Sequence, residues 1–300
     1  MWYNASKGAS FMPSIYQKTK FIMNKYHITA NKSLGQNFLV SEEAVEAIVG
    51  SANISKEDIV IEIGPGLGTL TKELLERAGK VICVELDTRM VNIITDRFAL
   101  YKNIEIINQD ILKIDLKELI KNEKESTNLK NVKVVANLPY YITTPIIMKL
   151  LEERLDIESI TIMIQKEVAQ RLLANPGDNL SGAITYGIHY YSEPEKIADV
   201  SHEDFIPAPE VDSQVIKLNI RKNPPVDVGD EEKMFKIIKL AFMQRRKTLI
   251  NALSNGNFFN NKQEIEEMLQ ELNIDKKIRG EKLTLEQFAE ITNYINKKVS

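Results

Sequence analysis

The residues best able to do chemistry in this sequence are a glycine-rich turn, two carboxylates and an asparagine. The turn is Ile61-Glu-Ile-Gly64-Pro-Gly66-Leu-Gly68. Glycines there let the backbone approach a ligand with no Cβ in the way. A dinucleotide fingerprint needs a third glycine at its sixth position, which here is Thr69. The spacing G-x-G-x-G suits a nucleoside without a pyrophosphate. Glu85 lies 21 residues after Gly64, at the end of a second apolar run. A carboxylate at that point can accept hydrogen bonds from ribose hydroxyls. Asp110 ends a third run and can accept from an adenine exocyclic amine, with Ile111 against the ring. Either acid alone reads as a solvated strand end. Gly64, Gly66, Glu85, Asp110 and Ile111, in register at three successive strand ends, read as an S-adenosylmethionine site.

The segment Asn137-Leu138-Pro139-Tyr140 follows the fourth apolar run. Asn and Pro favour turns, so a plain strand-to-loop turn is the competing reading. Its place at the sheet edge, where the methyl group of such a cofactor points, favours chemistry. An adenine N6 amine is a poor nucleophile because its lone pair is delocalised into the ring. Two acceptors on its N–H groups draw the nitrogen towards tetrahedral geometry. They also stabilise the positive charge that develops on attack. The Asn137 side-chain oxygen and the Leu138 carbonyl are candidates for those acceptors, and Tyr140 can stack on the base. One preorganised polar group of this kind is worth about 10²–10³ in rate. No metal, Cys or His is required. His27, His189 and His202 are scattered and read as structural or surface residues.

These residues need a scaffold that brings strand ends together. Ser41 can cap a helix that buries Val45, Ile48 and Val49. Residues 59–63, 81–84, 104–107, 132–136 and 160–164 read as buried strands, with helices after most of them. One helix buries Leu70, Leu74 and Leu75, and another spans about 90–98. Thr144-Pro145 opens a further helix, with Pro at the first helical position. The helix after the fifth strand stops at Asn175-Pro176-Gly177. Residues 215–220 form a late alternating strand. The polar stretch 121–131 reads as a surface loop. Beyond Asn223-Pro224-Pro225 only helices are expected, over about 231–253, 262–272 and 284–297. The expected fold is α/β: a mostly parallel, Rossmann-like sheet with helices on both faces and a smaller all-helical C-terminal domain. The boundaries fall at a flexible tail over 1–20, a sheet domain over 21–222 and a helical domain over 223–300.

Composition sets outer limits. The chain has 300 residues, 43% hydrophobic and 27% charged, as expected for a globular protein that buries a substantial core. A single Cys excludes a disulfide framework and a multi-cysteine zinc site. No apolar run is long enough for a membrane span, and no secretory signal opens the chain. A cytoplasmic enzyme is expected. The net charge of −3 argues against a nucleic-acid partner, but it is an average. From Met1 to Ser41 there are five Lys and no acid, and from Lys233 to Lys262 seven basic residues and no acid. The rest of the chain therefore carries −15.

The segments Lys32-Ser-Leu-Gly35-Gln36-Asn37-Phe38-Leu39, the E-I-G-P-G-L-G turn and Asn137-Leu-Pro-Tyr140 resemble one known family. So do Gln165-Lys-Glu-Val-Ala-Gln-Arg171, Phe205-Ile-Pro207-Ala-Pro209-x-Val211-Asp-Ser213 and Arg245-Arg246-Lys247-Thr248-Leu249. The sequence is similar to the small-subunit ribosomal RNA adenine dimethyltransferases (the KsgA/RsmA type) over about residues 20–297. That resemblance implies methyl transfer from S-adenosylmethionine to N6 of two adjacent adenosines in the 3′-terminal hairpin loop of 16S rRNA, within the immature 30S subunit. It implies that Asn37 and Leu39 line the cofactor beside its methionine end. It implies that Asn137 and Tyr140 position the amine and that Phe205 closes the pocket on a flipped base. A helix holding Lys233, Lys236, Lys239, Arg245, Arg246 and Lys247 is expected to supply phosphate contacts. No metal and no membrane partner are expected, and nothing indicates an obligate dimer. Three other readings compete: a resistance-type methylase of large-subunit rRNA, a ribosome-assembly factor that mainly binds, and a nicotinamide oxidoreductase, which the missing third glycine disfavours.

Overall fold

The computed structural model describes residues 13–299. The stretch 1–12, expected to be a loose tail, lies outside the described residues. Over residues 15–20 the expected tail is corrected, because helix α1 (Ile15–Lys25) begins inside it. The Ser14 hydroxyl accepts from the Gln17 N–H, and the Gln17 side chain accepts from the Ser14 N–H at 3.0 Å. This reciprocal box satisfies two N–H groups that a helix start leaves bare. Strand β1 (Phe38–Leu39) and helix α2 (Glu42–Ser51) come next. Ser41 caps α2 through the Ala44 N–H, and Val45, Ile48 and Val49 are buried as expected.

The sheet is laid down by β2 (Asp58–Ile63), α3 (Thr69–Arg77), β3 (Lys80–Glu85), α4 (Thr88–Arg97) and β4 (Ile104–Asn108). Then come α5 (Leu116–Thr127), β5 (Asn131–Asn137), α6 (Thr143–Glu152), β6 (Ser159–Gln165) and α7 (Lys166–Leu173). After α8 (Ala183–Tyr191), β7 (Ser192–Val200), β8 (Phe205–Ile206) and β9 (Ser213–Ile220) complete the strands. Helices α9 (Glu231–Met243), α10 (Leu249–Leu253), α11 (Lys262–Glu271) and α12 (Leu285–Val299) end the described chain.

Seven strands form one sheet in the order β4-β3-β2-β5-β6-β9-β7. The first five in that order pair in parallel, and β9 is antiparallel to both β6 and β7. Both faces are covered, so the central strands read as unbroken apolar runs. Side-chain alternation divides them. Ile59, Ile61, Ile82, Val84, Val132 and Val134 join one apolar cluster, while Val60, Val81, Cys83 and Val135 join another. The chain reverses direction across the sheet between β2 and β5. That is where open α/β sheets leave a ligand crevice beyond the strand ends.

Three further expectations need correction. The stretch 121–131 is largely the second half of α5, not a loop. Asp115 caps that helix through the Glu118 N–H at 3.0 Å, and Leu116 and Ile120 are buried. Its last turns carry no buried apolar residue and are held by Glu123, which pairs with Lys80. Pro145 is the third residue of α6, not the first, and it still falls in the turn whose N–H groups have no partner inside the helix. The helix expected over 231–253 breaks in two. α9 ends at Met243, Lys247 N–H bonds the Gln244 carbonyl at 2.8 Å, and the chain restarts at Leu249. No helix among the described residues is long and apolar enough to cross a membrane.

Candidate active site

A cavity of about 130 Å³ opens beyond the ends of β2, β3, β4 and β5. Its wall includes Leu34 to Leu39, the turn after β2, Glu85, Gln109 to Ile111, and Asn137 to Ile142. The structure therefore brings together residues spread over a hundred positions of sequence.

The floor is the glycine turn. Gly64 has φ +66° and its N–H bonds the Val84 carbonyl at 2.9 Å. A Cβ placed there would meet nothing within 4 Å and would project into open space. Gly68, at φ +81°, has the opposite constraint, since a Cβ would fall 2.6 Å from the Phe98 ring. Glycine here brings α3 close to α4.

Glu85 is the last residue of β3 and is 8% exposed. One carboxylate oxygen accepts from the Asp87 N–H at 2.8 Å and the other from the Gly66 N–H at 3.2 Å. Burial pushes its pKa up, against those backbone bonds. Asp110 caps the short 3-10 turn after β4, accepting from the Leu112 N–H at 3.0 Å. Ile111 is buried beside it. Asp87 binds Arg89 and accepts from Gln36 Nε2 at 2.9 Å. Arg89 and Gln36 together hold its carboxyl below the usual range, despite partial burial.

Asn137 ends β5. Its Nδ2 donates to the Asn37 carbonyl at 3.3 Å, which ties the N-terminal segment to the strand end. The Leu138 N–H is taken by the Met163 carbonyl at 3.1 Å, which fixes the next peptide. The Pro139 carbonyl accepts from Thr143 Oγ1 at 3.1 Å. The Tyr140 hydroxyl lies 2.7 Å from Ser213 Oγ, and burial raises its pKa. The phenol is therefore neutral and fixed at its tip. No group of three or more metal-ligating side chains occurs among the described residues.

A family model described as ribosomal RNA adenine dimethylase matches residues 27–297. A relative from Alkaliphilus oremlandii, named ribosomal RNA small subunit methyltransferase A, is 47% identical over 283 residues, covering 94% of this chain and 98% of the relative. One of the same name from Clostridioides difficile is 47% identical over 287 residues, covering 96% and 98%. The chain belongs to the ribosomal RNA adenine dimethylases. Among solved structures, a dimethyladenosine transferase from Plasmodium falciparum superposes with TM-score 0.73 at 27% identity, covering 87% of this chain and 98% of that one. The 23S rRNA methyltransferase ErmE shares the fold, with TM-score 0.66 at 24% identity over 87% of this chain and 100% of that one.

The dimethylase cavity gathers all the expected cofactor and amine positions: Asn37, Leu39, Gly64, Gly66, Glu85, Asp110, Ile111, Asn137, Leu138, Pro139 and Tyr140. Phe205 is the exception and the expectation for it is corrected. It pairs opposite Leu39 in the small β1–β8 sheet and is 4% exposed. It packs in the apolar cluster that holds Val135, Met163 and Val215, and it does not line the cavity.

The expected phosphate contacts divide. Lys239, Arg246 and Lys247 are exposed, the last two in the break between α9 and α10. Arg245 is also exposed but committed: its Nε donates to Glu281 at 2.9 Å and a terminal nitrogen donates to the Ser181 carbonyl at 3.2 Å.

Among the lining residues not expected from sequence, two carry titratable side chains, Tyr141 and Glu62. Tyr141 stands at the mouth, 58% exposed, with its ring 3.4 Å from the point where a Gly35 Cβ would sit. It follows Tyr140 directly in sequence, so adjacency was the available signal. Glu62 lines the floor yet is 1% exposed. Burial pushes its pKa up to about 7, and the Cys83 thiol donates to it at 3.5 Å. An acid inside an otherwise apolar strand was its signal.

Proposed function

We propose that this dimethylase transfers methyl groups from S-adenosylmethionine to N6 of two adjacent adenosines in the 3′-terminal hairpin loop of 16S rRNA. The substrate is the immature 30S subunit, and the products are N6,N6-dimethyladenosines. We assign it to the cytoplasm as a monomer, with a sheet domain to residue 222 and a helical domain over 223–300. The two share one apolar cluster, in which Tyr186 and Ile216 meet Met234 and Phe288.

The observation that carries the reading is the Asn137 amide. One N–H of its NH2 donates to the Asn37 carbonyl, which turns the nitrogen that way and leaves the oxygen to accept from an amine. That is the polarity needed to hold a nucleophilic N–H beside the crevice.

The cavity fits the cofactor. Gly64 leaves a cradle that a Cβ would fill. Each Glu85 oxygen takes one backbone N–H and keeps a lone pair for a ribose hydroxyl. Asp110 has one oxygen on Leu112 and the other available for an adenine amine, with Ile111 against the ring. Asn37 and Leu39 flank the methionine end. When bound, the cofactor supplies an electrophilic methyl group on a sulfonium.

Asn137 Oδ1 and the Leu138 carbonyl accept from the target amine and hold its lone pair towards the methyl donor. Tyr140, pinned by Ser213, offers its ring to the flipped base. The Asn137 amide is preorganised by the bond to Asn37 already present, so its oxygen needs little reorganisation as charge develops. The monomethylated amine keeps one N–H, so one acceptor stays engaged in the second transfer at each base.

The test is transfer of labelled methyl groups to 30S particles lacking the modification, with large subunits as control. Label is expected in 16S rRNA. Label confined to large-subunit RNA would overturn the assignment, and binding without any transfer would leave only an assembly factor.

A further inference from the structure

We infer that helix α1 is an RNA-holding arm that grips the ribosomal RNA beside the target adenosine, an interface that rests on the rRNA substrate proposed above. The helix lies outside the sheet. Its buried side is short: Thr19 and Ile22, the latter packed with Phe38, Leu67 and Met90. Its ends are fixed to the body. The Ile15 N–H donates to Glu42 at 2.6 Å, and Tyr26 beyond the last turn bonds Asp96. The arm is therefore rigidly placed before any partner arrives.

The opposite face has an unusual composition. Tyr16 is 48% exposed and Phe21 is 56% exposed. Among the described residues, the only other Phe, Tyr or Trp exposed to that degree is Tyr141, at the mouth of the cavity. Lys18 and Lys20 flank Phe21, both exposed, and the Lys20 ammonium sits 5.8 Å from the Tyr16 ring centroid. From residue 13 to residue 40 there is no acid at all, while Lys18, Lys20, Lys25 and Lys32 are present. A helix that only packs against the body gains nothing by exposing two large rings. Rings interleaved with lysines suit bases or riboses beside phosphates.

Position also favours RNA. The chain runs from α1 through exposed Lys32 to Gly35, and Gly35 and Tyr141 both line the cavity. The arm and the pocket entrance are thus joined by one acid-free segment. A strand whose adenosine enters past Tyr141 has its continuation beside lysines. A basic amphipathic helix can instead lie on an anionic membrane. The apolar side of α1, however, is already turned into the protein, so the face left outward is cationic and aromatic.

The test uses the full chain and a variant carrying Lys18→Gln, Lys20→Gln and Phe21→Ser, all at exposed sites outside the cavity. Both proteins are compared for binding to unmethylated 30S particles across a salt series and for methyl transfer. The variant should lose about 1.5–2 from the slope of log K against log salt and roughly tenfold in kcat/KM. Its kcat at saturating 30S, its affinity for S-adenosylmethionine and its thermal midpoint should match the native chain. A native chain that methylates 30S alongside a variant with the native salt slope and kcat/KM would overturn the arm alone. A native chain that transfers nothing to 30S would overturn the functional reading beneath it. Loss of binding to phosphatidylserine vesicles in the variant, with 30S binding intact, would make the face a membrane surface and overturn the RNA assignment.

Discussion

At the scale of single residues, Asn137 carries the most weight because its Nδ2 is held by Asn37 and its oxygen is the proposed acceptor. Asn137→Ala should lower kcat by about 10²–10³, the usual cost of one preorganised polar group in a reaction centre. Affinity for 30S particles should stay close to native, since no phosphate contact is touched. Equilibrium binding and single-turnover transfer on the same preparation separate the two, and undiminished turnover would show that the centre lies elsewhere. Glu62 makes a second prediction, on stability. Its carboxyl titrates near 7 when folded, against a reference of 4.5. The folded state thus holds this proton more tightly than the unfolded chain. Glu62 therefore costs nothing below about pH 4.5, and stability falls as pH rises from there to about 7. The full cost, at most about 3 kcal/mol, remains above that window. Glu62→Gln should remove this slope in denaturant unfolding at pH 5 and pH 8. An unchanged pH difference in the variant would assign the slope to other groups. The place of Asn137 at the cavity was legible in sequence because a polar residue closes an apolar run. Burial of Phe205 was not, because it depends on a two-residue pairing with Leu39 that has no periodicity to read.

At the scale of elements, legibility followed the apolar pattern. Strands β2, β3, β5 and β6 are buried on both faces, so their runs stood out and their ends located the cavity. Helix α5 was misread because its C-terminal half has no apolar stripe and is held by the Glu123–Lys80 pair, a contact between positions far apart in sequence. β7 escaped notice for a related reason: much of it is half-buried or exposed, and its register on β9 shifts at residues 196–198. The same sheet hides a charged device at its other end. Lys133 Nζ lies 2.9 Å from Asp58 Oδ2 and 2.7 Å from the Asn53 carbonyl, with both charged side chains almost fully buried. Burial pushes the Asp58 carboxyl up, but bonds from Lys133, Ser55 and Asn131 outweigh it and hold the pKa below the usual range. Lys133→Met should therefore cost about 3–5 kcal/mol, because it strands a buried carboxylate. Adding Asp58→Asn should recover part of that loss. Denaturant midpoints of the two variants decide it, and a Lys133→Met protein as stable as native would show that water reaches the pair.

At the scale of the whole molecule, the net charge of −3 conceals two acid-free basic segments, one in the N-terminal part and one in the helical part. Long-range steering depends on that distribution more than on the total. An enzyme that must find one loop on a ribosomal particle also gains from a modest total, since uniform positive charge would bind RNA everywhere. The structure sharpens which charges in the helical part remain available. The break after Met243 lifts Arg246 and Lys247 into solvent, while Arg245 turns back to Glu281 and to the carbonyl of Ser181. Arg245 thus ties the α9–α10 turn to the segment between α7 and α8, while its two basic neighbours stay exposed. Neutralising Arg246 and Lys247 together should weaken 30S binding and reduce the salt slope by about 1.5–2. Arg245→Ala should leave the slope near native and lower stability instead, by at most about 1 kcal/mol, because its ion pair is partly exposed. Salt-dependent binding and thermal melts on the two variants separate these tasks. A slope change from Arg245→Ala equal to that of the double variant would mean that Arg245 leaves Glu281 to bind phosphate.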